Sequence, residues 1–255
     1  MSEATVRLIC RPAFDASEAQ AFLDDWGMTW IRTPNSSSAE ELVEFSGRVC
    51  YMSFGEGRQS PRTNLEYINN LIKQLHESVL EHATWSFIIT GISRGFTHQL
   101  VRHRIGFSFS QLSQQYYEDE SSPFIKPDLI SSDPDTNRIW EAAVLGAREA
   151  YSELLSKLKC LAGQGNKEAK RALRTAARSV LPEAAATSIA VTANCRAIRH
   201  FLDIRGAIEG DEEMRKVSAA LLSLLQQDSP SLFSDFEVRR HTDGSPIVVR
   251  TGSAD

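Results

Sequence analysis

Two short stretches constrain the fold more than anything else in the chain. Residues 84–92, TWSFIITGI, set Trp85, Phe87 and Ile89 against Thr84, Ser86 and Thr90, and residues 187–195, TSIAVTANC, alternate in the same way. A period of two places alternate side chains on one side of a strand, so each stretch has a face that must be buried. The rest of the chain reads at helical spacing. Ser38-Ala39-Glu40-Glu41 has the form of a capping box and opens a helix running toward Cys50. Leu65, Ile68, Leu71, Ile72, Leu75 and Val79 predict an amphipathic helix over 64–79, and Phe96, Leu100 and Val101 share one face of a helix between Ser93 and Arg104. Asp133-Pro134-Asp135 caps a long helix carrying Ile139, Val144, Ala147, Tyr151, Leu154, Leu158 and Leu161, which Gly163 and Gly165 end. A helix from Lys167 stops near Leu181-Pro182, because proline disfavours helical geometry in the residue before it. Two more follow at about 196–208 and 211–227. The expectation is a helix-rich α+β chain, one domain over 1–255, with a flexible tail from about 241 to 255.

Composition narrows the function. No apolar run approaches the roughly twenty residues of a membrane helix, and the start, MSEATVRLICRPAF, lacks the pattern of a secretion signal, so a cytoplasmic protein without a membrane partner is expected. Cys10, Cys50, Cys160 and Cys195 are widely separated and form no CxxC pair, which predicts free thiols. A net charge of −5 argues against a nucleic-acid partner, since that binding needs a basic face. Arginine outnumbers lysine 21 to 7, but a GC-rich genome accounts for the ratio, so only the placement of the arginines bears on function.

Three segments place arginine where strands end or helices close: Arg102 and Arg104 in LVRHRIGFSFSQLSQQY, Arg178 in AARSVLP, and Arg196, Arg199 and Arg205 in NCRAIRHFLDIR. Such ends gather donors for an anion. His103, between two arginines, has its charged form disfavoured and suits hydrogen bonding better than carrying a proton. His98 and His103 lack the spacing of a helical zinc pair, so no metal site is expected. No cysteine stands in a nucleophile context; Cys195 reads as buried strand. Neither a GxGxxG turn nor a P-loop is present.

Arg102-His103-Arg104 followed by Ser113 resembles the signature of the flavin-dependent thymidylate synthases, the ThyX family, and the likeness extends to SVLEHATWSF, QLVRHR, ARSVLP, Asn194, Arg196, His200-Phe201 and Arg205. It covers the chain from about Ser46 to Leu224. The resemblance implies an antiparallel sheet flanked by helices and a homotetramer with active sites shared between subunits. The activity it implies moves a methylene from methylenetetrahydrofolate to uracil C5, with reduced FAD as hydride source and NADPH as reductant. By position, Thr84, Arg102, His103, Arg104, Asn194, Arg196 and His200 would contact FAD. Gln99, Arg102, Gln111, Leu112, Ser113, Gln114, Gln115, Arg178 and Arg205 would hold the nucleotide, with Arg205 polarising the uracil ring and Ser113 positioning it.

The chain departs from the family pattern in three places. Eight residues, IGFSFSQL, separate Arg104 from Ser113 where seven are usual, so the loop must bulge or shift. Gln115 stands where the family has an arginine that helps bind phosphate, and Glu209 where histidine is common. The expected task is dUMP to dTMP. The alternative is the same chemistry on UMP, giving 5-methyl-UMP for a modified nucleoside, with Gln115 serving the 2′-hydroxyl. A flavin or nucleotide binder without catalysis is a further reading, opposed by the retention of Ser113, Arg178 and Arg205.

Overall fold

The structure is a computed structural model describing residues 4–116, 123–162 and 166–251. It is a mixed, helix-rich α+β fold with antiparallel sheets. Strand β1 (Thr5–Cys10), β2 (Thr84–Ser93), β3 (Phe107–Gln111) and β4 (Ala186–Asn194) form one sheet in the order β1-β2-β4-β3. Both alternating stretches are strands, and burial follows the alternation: Trp85, Phe87, Ile89, Ile189, Val191 and Ala193 are all buried. Strands β5 (Phe236–Arg240) and β6 (Pro246–Arg250) make a separate antiparallel pair.

The chain divides into two compact units, and one of the boundaries between them falls between Arg102 and His103. One unit comprises residues 1–5, 89–102 and 110–189. It contains α4 (Arg94–Leu100), α5 (Asp128–Ser131), α6 (Pro134–Ala162), α7 (Lys167–Ala177) and a 3-10 turn at Arg178–Val180. Its helical core is Tyr151, Leu155 and Ala177, with Leu158 and Leu181 packed on them. The face expected for α6 is only partly the buried one: Ile139, Leu154 and Leu161 are exposed, because Tyr151 and Leu155 set the buried stripe. Gly163 and Gly165, expected to end this helix, lie outside the described residues.

The other unit comprises residues 6–88, 103–109 and 190–255. It holds α1 (Ala16–Asp25), α2 (Ser38–Val49), α3 (Asn64–Lys73), a 3-10 turn at Glu77–His82, α8 (Cys195–Arg205), α9 (Glu212–Asp228) and a further 3-10 turn at Pro230–Phe233. Val43, Ile68, Leu80, Trp85, Phe201, Leu222 and Phe233 are among its buried side chains. Burying each large apolar group contributes about 1.5–3 kcal/mol. The Trp85 indole nitrogen donates to Asp228 at 2.8 Å, so its polar edge is satisfied.

Three expectations need correction here. The capping box of α2 is Ser37 with Glu40, one residue earlier than read, because three serines in a row leave the register open and Ser37 is the one with extended geometry. The helix expected to reach residue 79 ends at Lys73. Leu75 adopts φ 58°, His76 N donates to Leu71 O and Leu75 N to Ile72 O, which is a Schellman termination built on leucine rather than glycine. The supposed tail contains β6, paired with β5 from Phe236↔Arg250 to Arg240↔Pro246, with Val248 buried against α9 and its neighbours.

Candidate functional site

The serine-glutamine segment lies in the first unit. Gln111 ends β3, and its side-chain nitrogen donates to Thr97 Oγ1 at 2.9 Å and more weakly to Thr187 Oγ1 at 3.4 Å. The next residue, Leu112, donates its N–H to Ser188 O at 2.9 Å, which fixes the start of the turn. Ser113 then accepts from the N–H of Gln115 at 3.3 Å, and Tyr116 N closes the turn on Ser113 O at 3.2 Å. The turn is tied to α7: Gln115 Nε2 donates to Thr175 Oγ1 and Arg174 Nη1 to Gln115 O, both at 3.0 Å. The Arg171 guanidinium stacks over the Tyr116 ring at 4.5 Å.

Arg94, the first residue of α4, was missed by the sequence reading. Its Nη1 lies 3.5 Å from Leu112 O, and its guanidinium is held below its ordinary value first by burial and then by the charge of Arg178. Among the described residues neither Arg94 nor Arg178 has a carboxylate partner. A half-buried pair of like charges with no counterion is costly unless an anion completes it. The signal was available: Arg94 sits at a strand-to-helix junction, as Arg196 does. Gln99 and Arg102 are exposed, on α4 and just beyond its end. The side chains of Gln99 and Gln114 make no hydrogen bond among the described residues.

The other candidate residues lie in the second unit, most of them on α8. Asn194 caps the helix by accepting from Ala197 N at 2.9 Å, and its own N–H donates to Gly106 O at 3.1 Å. The turn after the arginine-histidine-arginine segment is therefore pinned to the helix start. Phe107 N meets Arg104 O at 3.4 Å and Gly106 takes φ +73°, so a tight turn with a left-handed residue joins Arg104 to β3. Arg196 pairs with Glu81 at 2.6 Å and Glu77 at 3.7 Å. Those carboxylates offset a cation at the unfavourable end of the helix dipole. Cys195 is the first residue of α8, not part of β4, and burial pushes its thiol up to about 12, far from a reactive thiolate.

Arg205 closes α8. Its Nε donates to His103 Nε2 at 3.0 Å, and the His103 ring packs against Phe201 at 5.2 Å, Phe107 at 6.0 Å and His200 at 6.5 Å. Burial first, then Arg205 and His200, lower the proton affinity of His103. Thr84, Arg104 and His200 are exposed in this unit, and Arg104 has no carboxylate partner among the described residues. Exposed cations beside an amide and a hydroxyl are the donor set that a dinucleotide's phosphates and ring edges require, so these residues fit a flavin dinucleotide.

Comparison with known proteins agrees with this chemistry. The family described as thymidylate synthase complementing protein matches residues 33–231. A protein of Mycolicibacterium gilvum named flavin-dependent thymidylate synthase is 44% identical over 96% of this chain and 94% of its own length. One of the same name from Mycolicibacterium vanbaalenii is 45% identical over the same shares, and one from Mycobacterium tuberculosis is 43% identical over 85% of this chain and 87% of its own. A match running through both units and all the arginine-bearing segments means that the chain belongs to the thymidylate synthase complementing protein family.

Proposed function

We propose that the protein is an enzyme that converts dUMP to dTMP by flavin-dependent reductive methylation at C5. The observation that carries this reading is the pair Arg94 and Arg178, half-buried like charges without a carboxylate among the described residues, with Arg94 reaching Leu112 O in the Gln111–Gln115 segment. A nucleotide monophosphate supplies the missing anion. Arg94 and Arg178 hold the phosphate, while Gln99, Arg102, Gln111, Leu112, Ser113, Gln114 and Gln115 shape the nucleotide's place. Ser113 acts as positioner, since its hydroxyl accepts from Gln115 N and no base stands beside it among the described residues. Arg205 stabilises negative charge developing on the uracil ring, which makes C5 the nucleophile toward the methylene carbon.

Thr84, Arg102, His103, Arg104, Asn194, Arg196 and His200 hold FAD. When bound and reduced, FAD supplies the hydride that turns the transferred methylene into a methyl group. The methylene comes from methylenetetrahydrofolate, which leaves as tetrahydrofolate once the C5 proton is lost, and NADPH renews the reduced flavin. The enzyme works as a cytoplasmic homotetramer. Exposed Ile139, Leu145, Leu154 and Leu161 along α6 support self-association, because a run of large apolar groups on one helix is costly to leave in water. No helix among the described residues is long and apolar enough to cross a membrane.

UMP as the substrate draws no support from the relatives' names, and the Gln115 amide that would serve a 2′-hydroxyl is engaged with Thr175. The test is incubation of purified protein with FAD, NADPH and methylenetetrahydrofolate, with dUMP and UMP compared by product mass and kcat/KM. Methylation of dUMP with strong preference is expected. Turnover of UMP as fast or faster would overturn the substrate assignment, and no product from either despite bound flavin would overturn the activity.

A further inference from the structure

We propose that His103 is a positioning residue for Arg205: by accepting from Arg205 Nε it fixes the guanidinium so that both terminal amino groups remain for the uracil ring. The inference rests on the proposed role of Arg205. Guanidinium donors can be held by a carboxylate or by a neutral acceptor, and the choice has an electrostatic consequence. A carboxylate would cancel the positive charge that stabilises the developing negative charge on the substrate, whereas an unprotonated imidazole nitrogen holds the group and leaves its charge intact. Among the described residues Arg205 has no carboxylate partner; its side chain is paired with His103 alone.

The contact dictates the state of the ring. Nε2 accepts, so the single imidazole proton must be on Nδ1 and the ring must be neutral. The ring cannot readily swing away, because Phe201 meets it edge-on at 5.2 Å with an interplanar angle of 81°, and Phe107 and His200 lie within 6.5 Å. The charged or titratable groups that face it from α8 are Arg205 and His200, and its chain neighbours are Arg102 and Arg104. All are cationic or become so on protonation. They and the partial burial favour the neutral ring, so at neutral pH the clamp is formed. Protonation at low pH removes the acceptor and sets a second positive charge beside Arg205. Activity should therefore carry an acid limb centred below the usual histidine value.

Three proteins test this: wild type, His103→Gln and His103→Leu, each assayed at saturating FAD and dUMP, with flavin affinity measured separately by absorbance titration. Glutamine presents a carbonyl acceptor at every pH, and leucine presents none. A misplaced catalytic group costs up to about a hundredfold in rate, so His103→Leu is expected to lose roughly ten- to a hundredfold in kcat with much less change in the KM for dUMP. His103→Gln should keep most of kcat and lose the acid limb. As a readout independent of turnover, wild type labelled with 15N-histidine should show His103 as the Nδ1–H tautomer at neutral pH. Wild-type kcat in His103→Leu, or equal losses in both variants, or an Nε2–H tautomer would overturn the proposal. If Arg205→Ala retains full activity the role of Arg205 fails instead, and if wild type makes no dTMP the proposed function itself fails. Should His103→Leu not fold, the glutamine variant, the wild-type pH profile and the tautomer still decide.

Discussion

Replacing Gly106 with alanine probes the turn that joins Arg104 to β3. A Cβ there would lie 2.7 Å from Ala197 Cβ, 2.8 Å from Asn194 Nδ2 and 3.0 Å from Asn194 Oδ1. Neither neighbour can yield: Ala197 Cβ is fixed to the α8 backbone, and Asn194 is committed to capping Ala197 N. The turn itself must move, weakening the Asn194 N to Gly106 O bond. The left-handed conformation at φ +73° costs a residue with a Cβ about 1–2 kcal/mol. The lost hydrogen bond adds about 0.5–1.5 kcal/mol, and disturbance of the cap up to about 1 kcal/mol. The total of about 1.5–4.5 kcal/mol lowers Tm by about 3–18 °C at 2–4 °C per kcal/mol. Gly210→Ala is the control, because Gly210 has φ +74° but nothing within 4 Å of an added Cβ, so it isolates the backbone cost. Thermal unfolding of the ligand-free protein followed by circular dichroism gives Tm, and FAD titration reports on Arg104 and Asn194. A Gly106→Ala protein no less stable than Gly210→Ala, with unchanged FAD affinity, would refute the reasoning.

Leu75→Gly should stabilise the protein by about 1 kcal/mol, seen as a rise of a few degrees in Tm, because Leu75 holds φ 58° while 73% exposed; a fall in Tm would contradict the termination described for α3. Arg94→Ala should weaken dUMP binding by about 1.5–3 kcal/mol, tenfold or more in Kd by calorimetry, and an unchanged Kd would remove Arg94 from the phosphate site. Iodoacetamide at pH 8 should label exposed Cys10, Cys50 and Cys160 but not Cys195, whose thiol is buried and pushed up to about 12; rapid labelling of Cys195 by mass spectrometry would contradict that burial. Arg199→Met should cost stability, since it strands half-buried Asp235, which Arg199 contacts at 2.7 and 2.6 Å; a variant as stable as wild type would show that Arg250, also on Asp235 at 2.8 Å, suffices.

Much of the fold was legible because burial imposed a pattern on the sequence. The strand at 84–92 was readable since every second residue is buried, and the helix starts read near Ser93 and Lys167 coincide with Ser93 and Asn166 capping backbone N–H groups, whereas the Asn194 cap of α8 was read as strand. The end of α3 was not, because leucine at a left-handed position carries no local signal and Leu75 and Val79 continue the helical spacing by coincidence. The β5-β6 pair was hidden because its strands are only five residues long and each has a single buried position, so alternation is weak. For the site, the arginines were visible in sequence, but which of them lack a counterion was not. Arg196, Arg199 and Arg215 turn out to be paired with carboxylates, whereas Arg94 and Arg178 have no carboxylate partner among the described residues. That distinction depends on contacts far apart in the chain, such as Arg199 with Asp235, and only the folded structure displays it.

The central claim is that reduced flavin, not the folate, delivers the hydride. The most direct measurement is a single anaerobic turnover of the reduced FAD complex with dUMP and methylenetetrahydrofolate, without NADPH, following flavin absorbance, nucleotide mass and the oxidation state of the folate product. One flavin oxidised per dTMP formed, with tetrahydrofolate as the folate product, is the predicted result. Formation of dTMP with dihydrofolate and the flavin still reduced would contradict it.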